Sequence, residues 1–447
     1  MRQMKDSGIE WIGKIPEGWE VKKLKHMFSF GRGLPITKEN LIEYGIPVIN
    51  YGQIHAKENT GTTIKSSLLR FVDKLFLISN NDSLVKFGDI IFADTSEDYL
   101  GIGNSIFIDI NSDIFAGYHT IICRPKSAKS SKYIAYLFQT DAWRSQLRKN
   151  ISGIKVFSIT QKILKETLIM LPPLAEQQRI ADYLDAKCAH IDQCLELTRQ
   201  SMEKLRAYKL SCITEAVTKG LAPDVPLKDS GVPWIGQIPA GWENKRLRYL
   251  GTCQNGISKA GEFFGHGKPF ISYKDVYLNI TLPQNTNSLI DSTESERNLY
   301  SVKEGDIFFT RTSETIEEIG FASTCINTIE NACFAGFLIR FRPHRGILNK
   351  HFGKYYFRNS ALRSYFSQMN IVTRASLSQE ILKNLPVLLP PLPEQERIAA
   401  YLDKKCARID ALLEEKQALL DKLAEYKKSL IFEYVTGKRE VPSCWNR

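Results

Sequence analysis

Two hydrophobic rhythms alternate along this chain, and each occurs twice. From residue 181 to 216, apolar positions return every seventh residue in two interleaved sets: Leu184, Ile191, Thr198, Leu205 and Cys212, with Ala181, Cys188, Leu195, Met202, Lys209 and Ala216. The spacing recurs from 399 to 434, as Leu402, Ile409, Lys416, Leu423 and Leu430 with Ala399, Cys406, Leu413, Leu420, Lys427 and Tyr434. A repeat of about 3.5 residues held over about five heptads predicts a coiled-coil helix. Roughly 40 residues at about 1.5 Å each make a rod of about 60 Å. Ahead of each rod lie short apolar runs broken by Gly, Asn, Asp and Ser, which predict a strand-rich body. A helical stretch rich in Tyr, Phe, Leu and Arg follows at 132–149 and again at 350–368.

The doubling extends to the letters themselves. Residues 5–24 read KDSGIEWIGKIPEGWEVKKL and 228–247 read KDSGVPWIGQIPAGWENKRL, identical at 14 of 20 positions. Residues 171–192, LPPLAEQQRIADYLDAKCAHID, match 389–410, LPPLPEQERIAAYLDKKCARID, at 17 of 22. Interleaved Gly and Pro make each opening segment a turn-rich cap, whose Trp11 and Trp19, or Trp234 and Trp242, are expected to pin it to the domain body. The prolines of LPPL force an extended entry into the helix, and Glu176 and Glu394 then fall in its first turn, favoured by the helix dipole.

Between these ends the halves diverge, leaving only landmarks. IPVINYGQI (46–54) corresponds to KPFISYKDV (268–276), and VKFGDIIFADTSE (85–97) to VKEGDIFFTRTSE (302–314). FAGYHTIICRP (115–125) corresponds to FAGFLIRFRP (334–343) with one residue deleted, which sets His119 opposite Leu338. The expected fold is α+β: two globular α/β domains separated by two long antiparallel coiled-coil helices, a pseudo-twofold internal repeat. The divisions fall at 1–170 and 221–388 for the domains, 171–220 for the central helix, and 389–447 for the second helix and tail. The tail GKREVP (437–442) resembles the linker KGLAPDVP (219–226), as a near-circular arrangement requires. Pairing of each helix with another subunit is the alternative, for which the polar seam positions Lys209, Lys416 and Lys427 leave room.

Composition adds a partner class. Sixty basic residues against 49 acidic ones give a net charge of +11 over 447 residues, an excess that points to a polyanion, usually nucleic acid. Hydrophobic content of 43% and charged content of 24% argue against wholesale disorder. Nine cysteines without a CxxC pair form neither a disulfide framework nor a zinc site. No apolar leader or membrane span is visible, so the expected compartment is the cytoplasm.

Signatures of catalysis are missing. There is no Asn/Asp-Pro-Pro-aromatic tetrapeptide of an adenine methyltransferase, and Gly267-Lys268 runs into Pro269 and not into a phosphate loop. No pair of histidines has HxH or HExxH spacing. The reading is a chain that binds and does not react.

The DSGxxWIGxIPxGWExxxL opening and the LPPLxEQxRIAxYLDxKCAxID helix start, each present twice, closely resemble the specificity subunit of Type I restriction-modification systems. The likeness spans essentially the whole chain. It implies that the divergent regions are target-recognition domains for double-stranded DNA. It also implies that the repeated helices are spacers and docking sites for two methylation subunits, joined by restriction subunits in the full complex. S-adenosylmethionine, ATP and Mg would belong to those partners, and this chain would bind no cofactor, no metal and no membrane. Half-sites on one face of a duplex lie about 34 Å apart, and divergent domains imply a bipartite, asymmetric target.

Base edges are read by Arg, Lys, Asn and Gln, and phosphates are held by Lys, Arg, Ser and Thr. Residues carrying sequence information should differ between halves at matching landmarks. That criterion selects Asn50, Tyr51 and Gln53 against Tyr273, Lys274 and Asp275, then Asp94, Thr95 and Ser96 against Arg311, Thr312 and Ser313. Lys155 and Arg374, just ahead of the SIT and SLS segments, join them. For subunit docking the repeated polar residues Glu176, Gln177 and Arg179, with Glu394, Gln395 and Arg397, are expected to be exposed. Two rival readings remain at this point: an unfamiliar DNA-modifying enzyme, and a bridging or orphan DNA-binding protein without an active restriction complex.

Overall fold

The structure, a computed structural model, describes residues 2–127, 131–151, 156–312, 319–359, 361–362, 365–366 and 376–445. The chain divides into two compact units, Met1–Arg199 with Gln417–Arg447, and Gln200–Lys416. Each unit therefore combines one globular domain with a piece of both long helices.

In the first unit, an antiparallel sheet runs Ser105–Phe107, Ile90–Ala93, Thr120–Pro125, Phe28–Arg32. A second sheet runs Arg70–Val72, Ile46–Ile49, Ile114–Ala116, Leu84–Val85, with its central pair parallel. The second unit repeats the plan with Gly251–Asn255, Leu338–Pro343, Ile307–Thr310 and Ala322–Thr324, and a smaller sheet in which Phe264–Ile271 pairs in parallel with Cys333–Phe334. Ile90–Ala93 and Ile307–Thr310 are buried along their whole length, as near-continuous apolar runs between two covered faces should be.

The Gly-Asp landmarks explain how those strands begin. Gly88 and Gly305 sit at φ +93° and +84°, in the left-handed region that glycine enters without penalty. The next residue, Asp89 or Asp306, is buried and caps the turn by accepting from the Lys86 or Lys303 amide. Each carboxylate also meets an arginine on the strand paired with the one it precedes, Arg124 at 2.8 Å and Arg342 at 2.6 Å. A buried carboxylate needs such a partner, and this couples the GD and RP landmarks in both units.

The matched ends of each half turn out to be one piece. Glu20–Lys23 pairs with Leu168–Leu171, and Glu243–Arg246 with Pro386–Leu389. Opening cap and helix entry are thus adjacent strands, sealed by Trp19 and Trp242, which are fully buried. The helices span Leu174–Lys219 and Leu392–Val435. They are antiparallel within each unit: Tyr183 meets Tyr434 and Asp192 meets Lys427 in the first, and Tyr208 lies beside Lys405 and Lys209 beside Asp410 in the second. Lys209 and Lys427, which left room for a foreign partner, are engaged inside this chain.

Each helix is followed by a glycine at positive φ, Gly220 at +78° directly after Lys219 and Gly437 at +69° two residues after Val435. In the first unit the tail beyond Gly437 then returns to the N-terminal cap. Lys438 Nζ donates to the Ile12 and Lys14 carbonyls, Glu440 lies 3.6 Å from Arg2, and Trp445 packs edge-on against Tyr183.

One alignment needs correction. The sheet register sets Phe334 opposite Ile271 and Ala116 opposite Ile49. The carbonyl that receives the amide of the residue after the central strand belongs to His119 in one unit and to Phe337 in the other. His119 therefore corresponds to Phe337, not to Leu338. The FAG triplets are one residue out of structural register, because hydrogen-bond pairing and not letter identity fixes which positions are equivalent.

Candidate nucleic-acid interface

In each unit one corner gathers three things: the end of the central strand, the start of the short helix after the parallel strand, and the turn leading into the last strand. In the first unit these bring Asp94, Tyr51 and His119 together. Thr95 Oγ1 donates to Asp94 Oδ1 at 2.7 Å, and His119 Nδ1 lies 3.2 Å from the same oxygen and 3.4 Å from Thr95 Oγ1. The Tyr51 ring meets His119, Tyr118 and His55 edge-on, with centroids 5.4, 5.7 and 6.3 Å away. His55 is fixed below: its Nε2 bonds the Thr95 carbonyl at 2.9 Å and its Nδ1 faces the Asn104 amide at 3.0 Å.

The equivalent corner of the second unit has other chemistry. Arg311 Nη1 donates to the Gly336 carbonyl at 3.1 Å, and the Tyr273 hydroxyl donates to the Thr312 carbonyl at 2.7 Å. Tyr273 stacks on Tyr277 with ring planes 19° apart. Phe337 is 66% exposed in place of His119, and Lys274, next in sequence to Tyr273, is also exposed. One scaffold thus carries a carboxylate with an imidazole where the other carries a guanidinium with a phenyl ring.

Several expectations about reading residues change. Asn50 is fully buried: its side-chain Oδ1 accepts from the Tyr118 backbone amide at 3.1 Å and its backbone N–H donates to Gln53 Oε1 at 2.9 Å. Ser272 and Asp275 cap the matching helix in the same way, with 2.8 Å from the Ser272 amide to Asp275 Oδ2. Divergence at these positions reflects two versions of a capping box, so Asn50 presents no edge to a base and the Gln53 oxygen is occupied. Ser96 is also buried, its hydroxyl donating to the Asp98 carbonyl at 2.7 Å. Lys155, Ser313 and Arg374 lie outside the described residues. His119 is what the sequence reading undervalued. Its exposed side chain, 58% accessible, and its left-handed backbone at φ +55° became visible only in the folded chain.

The docking candidates also separate. Gln177 and Gln395 are buried, not exposed, because their side-chain amides donate to the Pro172 and Pro390 carbonyls at 2.7 and 2.9 Å and lock the helix entry. Glu176 accepts from Arg2 at 2.5 and 2.8 Å and from Trp19 Nε1 at 3.1 Å, which raises the Arg2 guanidinium above its ordinary pKa. Glu394 is half-buried. Arg179 and Arg397 are exposed on the outer helix face. Among the described residues no group of three or more His, Cys, Asp or Glu could hold a metal, and no helix is long and apolar enough to cross a membrane.

Residues 16–207 and 239–422 both match the family model described as Type I restriction modification DNA specificity domain. The chain belongs to that family. The chain is 25% identical over 404 residues to the Type I restriction enzyme EcoKI specificity subunit of Escherichia coli K12, covering 88% of this chain and 83% of that protein. It is 24% identical over 412 residues to the MjaIX specificity subunit of Methanocaldococcus jannaschii, covering 86% and 85%. Two solved structures share the fold. One comes from work on complex assembly and conformational transition of the type I R-M system, with TM-score 0.71, 19% identity and coverage of 95% and 99%. The other is the crystal structure of the HsdS subunit from Thermoanaerobacter tengcongensis, with TM-score 0.54, 19% identity and coverage of 95% and 98%. With two DNA specificity domains in one chain, the protein is a non-catalytic DNA-recognition subunit of a Type I restriction-modification system. Neither the enzyme nor the bridging reading is favoured.

Proposed function

We propose that each unit reads one half of a bipartite, asymmetric DNA site through the corner at the end of its central strand. The observation that carries this reading is the pairing of equivalent scaffolds with opposed side chains: Asp94, His119 and Tyr51 in one unit, Arg311, Phe337 and Tyr273 in the other. Thr95, Thr312 and Lys274 contribute around them, and Lys155, Ser313 and Arg374 are the further candidates for holding phosphates or bases. Two methylation subunits dock on the helix starts through Arg179 and Arg397, with Glu176 and Glu394 holding the local frame, and restriction subunits join through them. S-adenosylmethionine, ATP and Mg belong to those subunits, and the assembly works in the cytoplasm.

The test is a single-molecule adenine methylome of the host with and without this gene. A gapped, asymmetric motif that vanishes on deletion is the expected result. An unchanged methylome overturns the reading.

A further inference from the structure

Two histidines share the first unit's corner, and their nitrogens are used differently. His55 Nε2 faces a carbonyl, which only accepts, and its Nδ1 faces an amide nitrogen, which only donates. Both nitrogens are spent, and the ring is structural. His119 Nδ1 faces the Asp94 carboxylate and the Thr95 hydroxyl, whose proton already points to Asp94. A carboxylate accepts only, so Nδ1 must carry the hydrogen. Nε2, on the far side of a side chain 58% exposed, has no hydrogen-bond partner among the described residues. In the neutral ring it is left as an acceptor.

The backbone bears the cost of this placement. His119 sits at φ +55°, one of two non-glycine residues at positive φ among the described residues, a conformation that persists where the surroundings over-determine it. The Asp94 amide donates to the His119 carbonyl at 3.0 Å, and the Ile159 amide to the Asp94 carbonyl at 2.7 Å. The imidazole is therefore held from both main chain and side chain. Phe337, its counterpart, has no positive φ, and its phenyl side chain can neither donate nor accept a hydrogen bond.

We infer that His119, oriented by Asp94 and Thr95, is a specificity-determining residue that accepts a hydrogen bond from an exocyclic amino group on a base edge. The groups of this class in the major groove are adenine N6 and cytosine N4, whereas guanine and thymine present acceptors there. Asp94 is a positioning residue that sets the tautomer. This inference rests on the proposed reading of the corner as a DNA-contacting surface.

The test uses the full chain assembled with its methylation subunits, and reads the methylated motif by sequencing. His119→Gly removes the imidazole and suits the left-handed backbone, so folding is preserved; thermal unfolding checks this. The expected result is a loss of discrimination of about 10-fold at one A or C position of one half-site, with the other half-site unchanged. A wild-type complex should lose the same discrimination on a duplex carrying nebularine for that adenine, or 2-pyrimidinone for that cytosine, while the variant should not respond. Asp94→Asn, which can present its amide NH₂ to Nδ1 and reverse the tautomer, should weaken the same position. A His119→Gly complex that folds and keeps the full motif overturns the inference and leaves the DNA reading standing. Absence of any motif from the wild-type complex overturns both.

Discussion

The Lys427 ammonium sits 2.7 and 2.8 Å from the two carboxylate oxygens of Asp192, on the facing helix of the first unit. It also donates to the Thr60 carbonyl at 3.0 Å, which ties the seam to the globular domain. Lys209 and Asp410 repeat the pair in the second unit at 2.6 Å. Charged residues inside a heptad seam weaken it unless paired, and pairing fixes register and direction.

The two pairs should differ in strength because their surroundings differ. Lys427 is 9% exposed, so Asp192→Ala strands a buried ammonium and should cost about 1–3 kcal/mol. Asp410 has a side chain 49% exposed, and Asp410→Ala should cost less than about 1 kcal/mol. Denaturant unfolding of the two variants checks the order, and equal losses would contradict it.

Gly437 and Gly220 end their helices alike but meet different neighbours. A Cβ on Gly437 would fall 2.4 Å from Pro16 Cδ, whereas one on Gly220 would come no closer than 3.1 Å, to Glu394 Oε1. Adding backbone strain to the clash, Gly437→Ala should destabilise by about 2–4 kcal/mol. Gly220→Ala should cost only about 1–2 kcal/mol from the backbone. Melting temperatures measure both.

Thiol reactivity should follow burial. Burial raises Cys188 and Cys253 to about 11 and Cys325 to about 12. A raised thiol pKa favours the neutral form, so at pH 7.5 fewer than about one in a thousand of these thiols is the reactive thiolate. Cys444 is exposed. Iodoacetamide followed by peptide mass spectrometry should mark Cys444 first and leave the other three until the chain unfolds.

If the helices set the distance between half-sites, one extra turn after Leu195 with a matching turn after Leu420 should lengthen the rod by about 5.4 Å. At about 3.4 Å per base pair, the unread gap should widen by one to two base pairs in the methylome. An unchanged gap would separate spacing from helix length.

Much of this protein is legible in the linear pattern, because period and spacing are local properties of a chain. The heptads give the helices, Gly-Asp gives the strand starts, and the doubled letters give the repeat. Even the seam lysines are visible, although their partners lie 201 and 235 residues away. What the letters could not assign was which polar residues face outward. Asn50, Ser96, Gln177 and Gln395 look available in sequence but satisfy buried backbone groups, and that demand arises only once the sheets and helix entries close around them. His119 shows the reverse: register, a left-handed backbone and a carboxylate 25 residues away together turn an unremarkable histidine outward. Sequence determined the frame through periodicity, and tertiary structure decided the site, because burial and hydrogen-bond partners belong to positions in space.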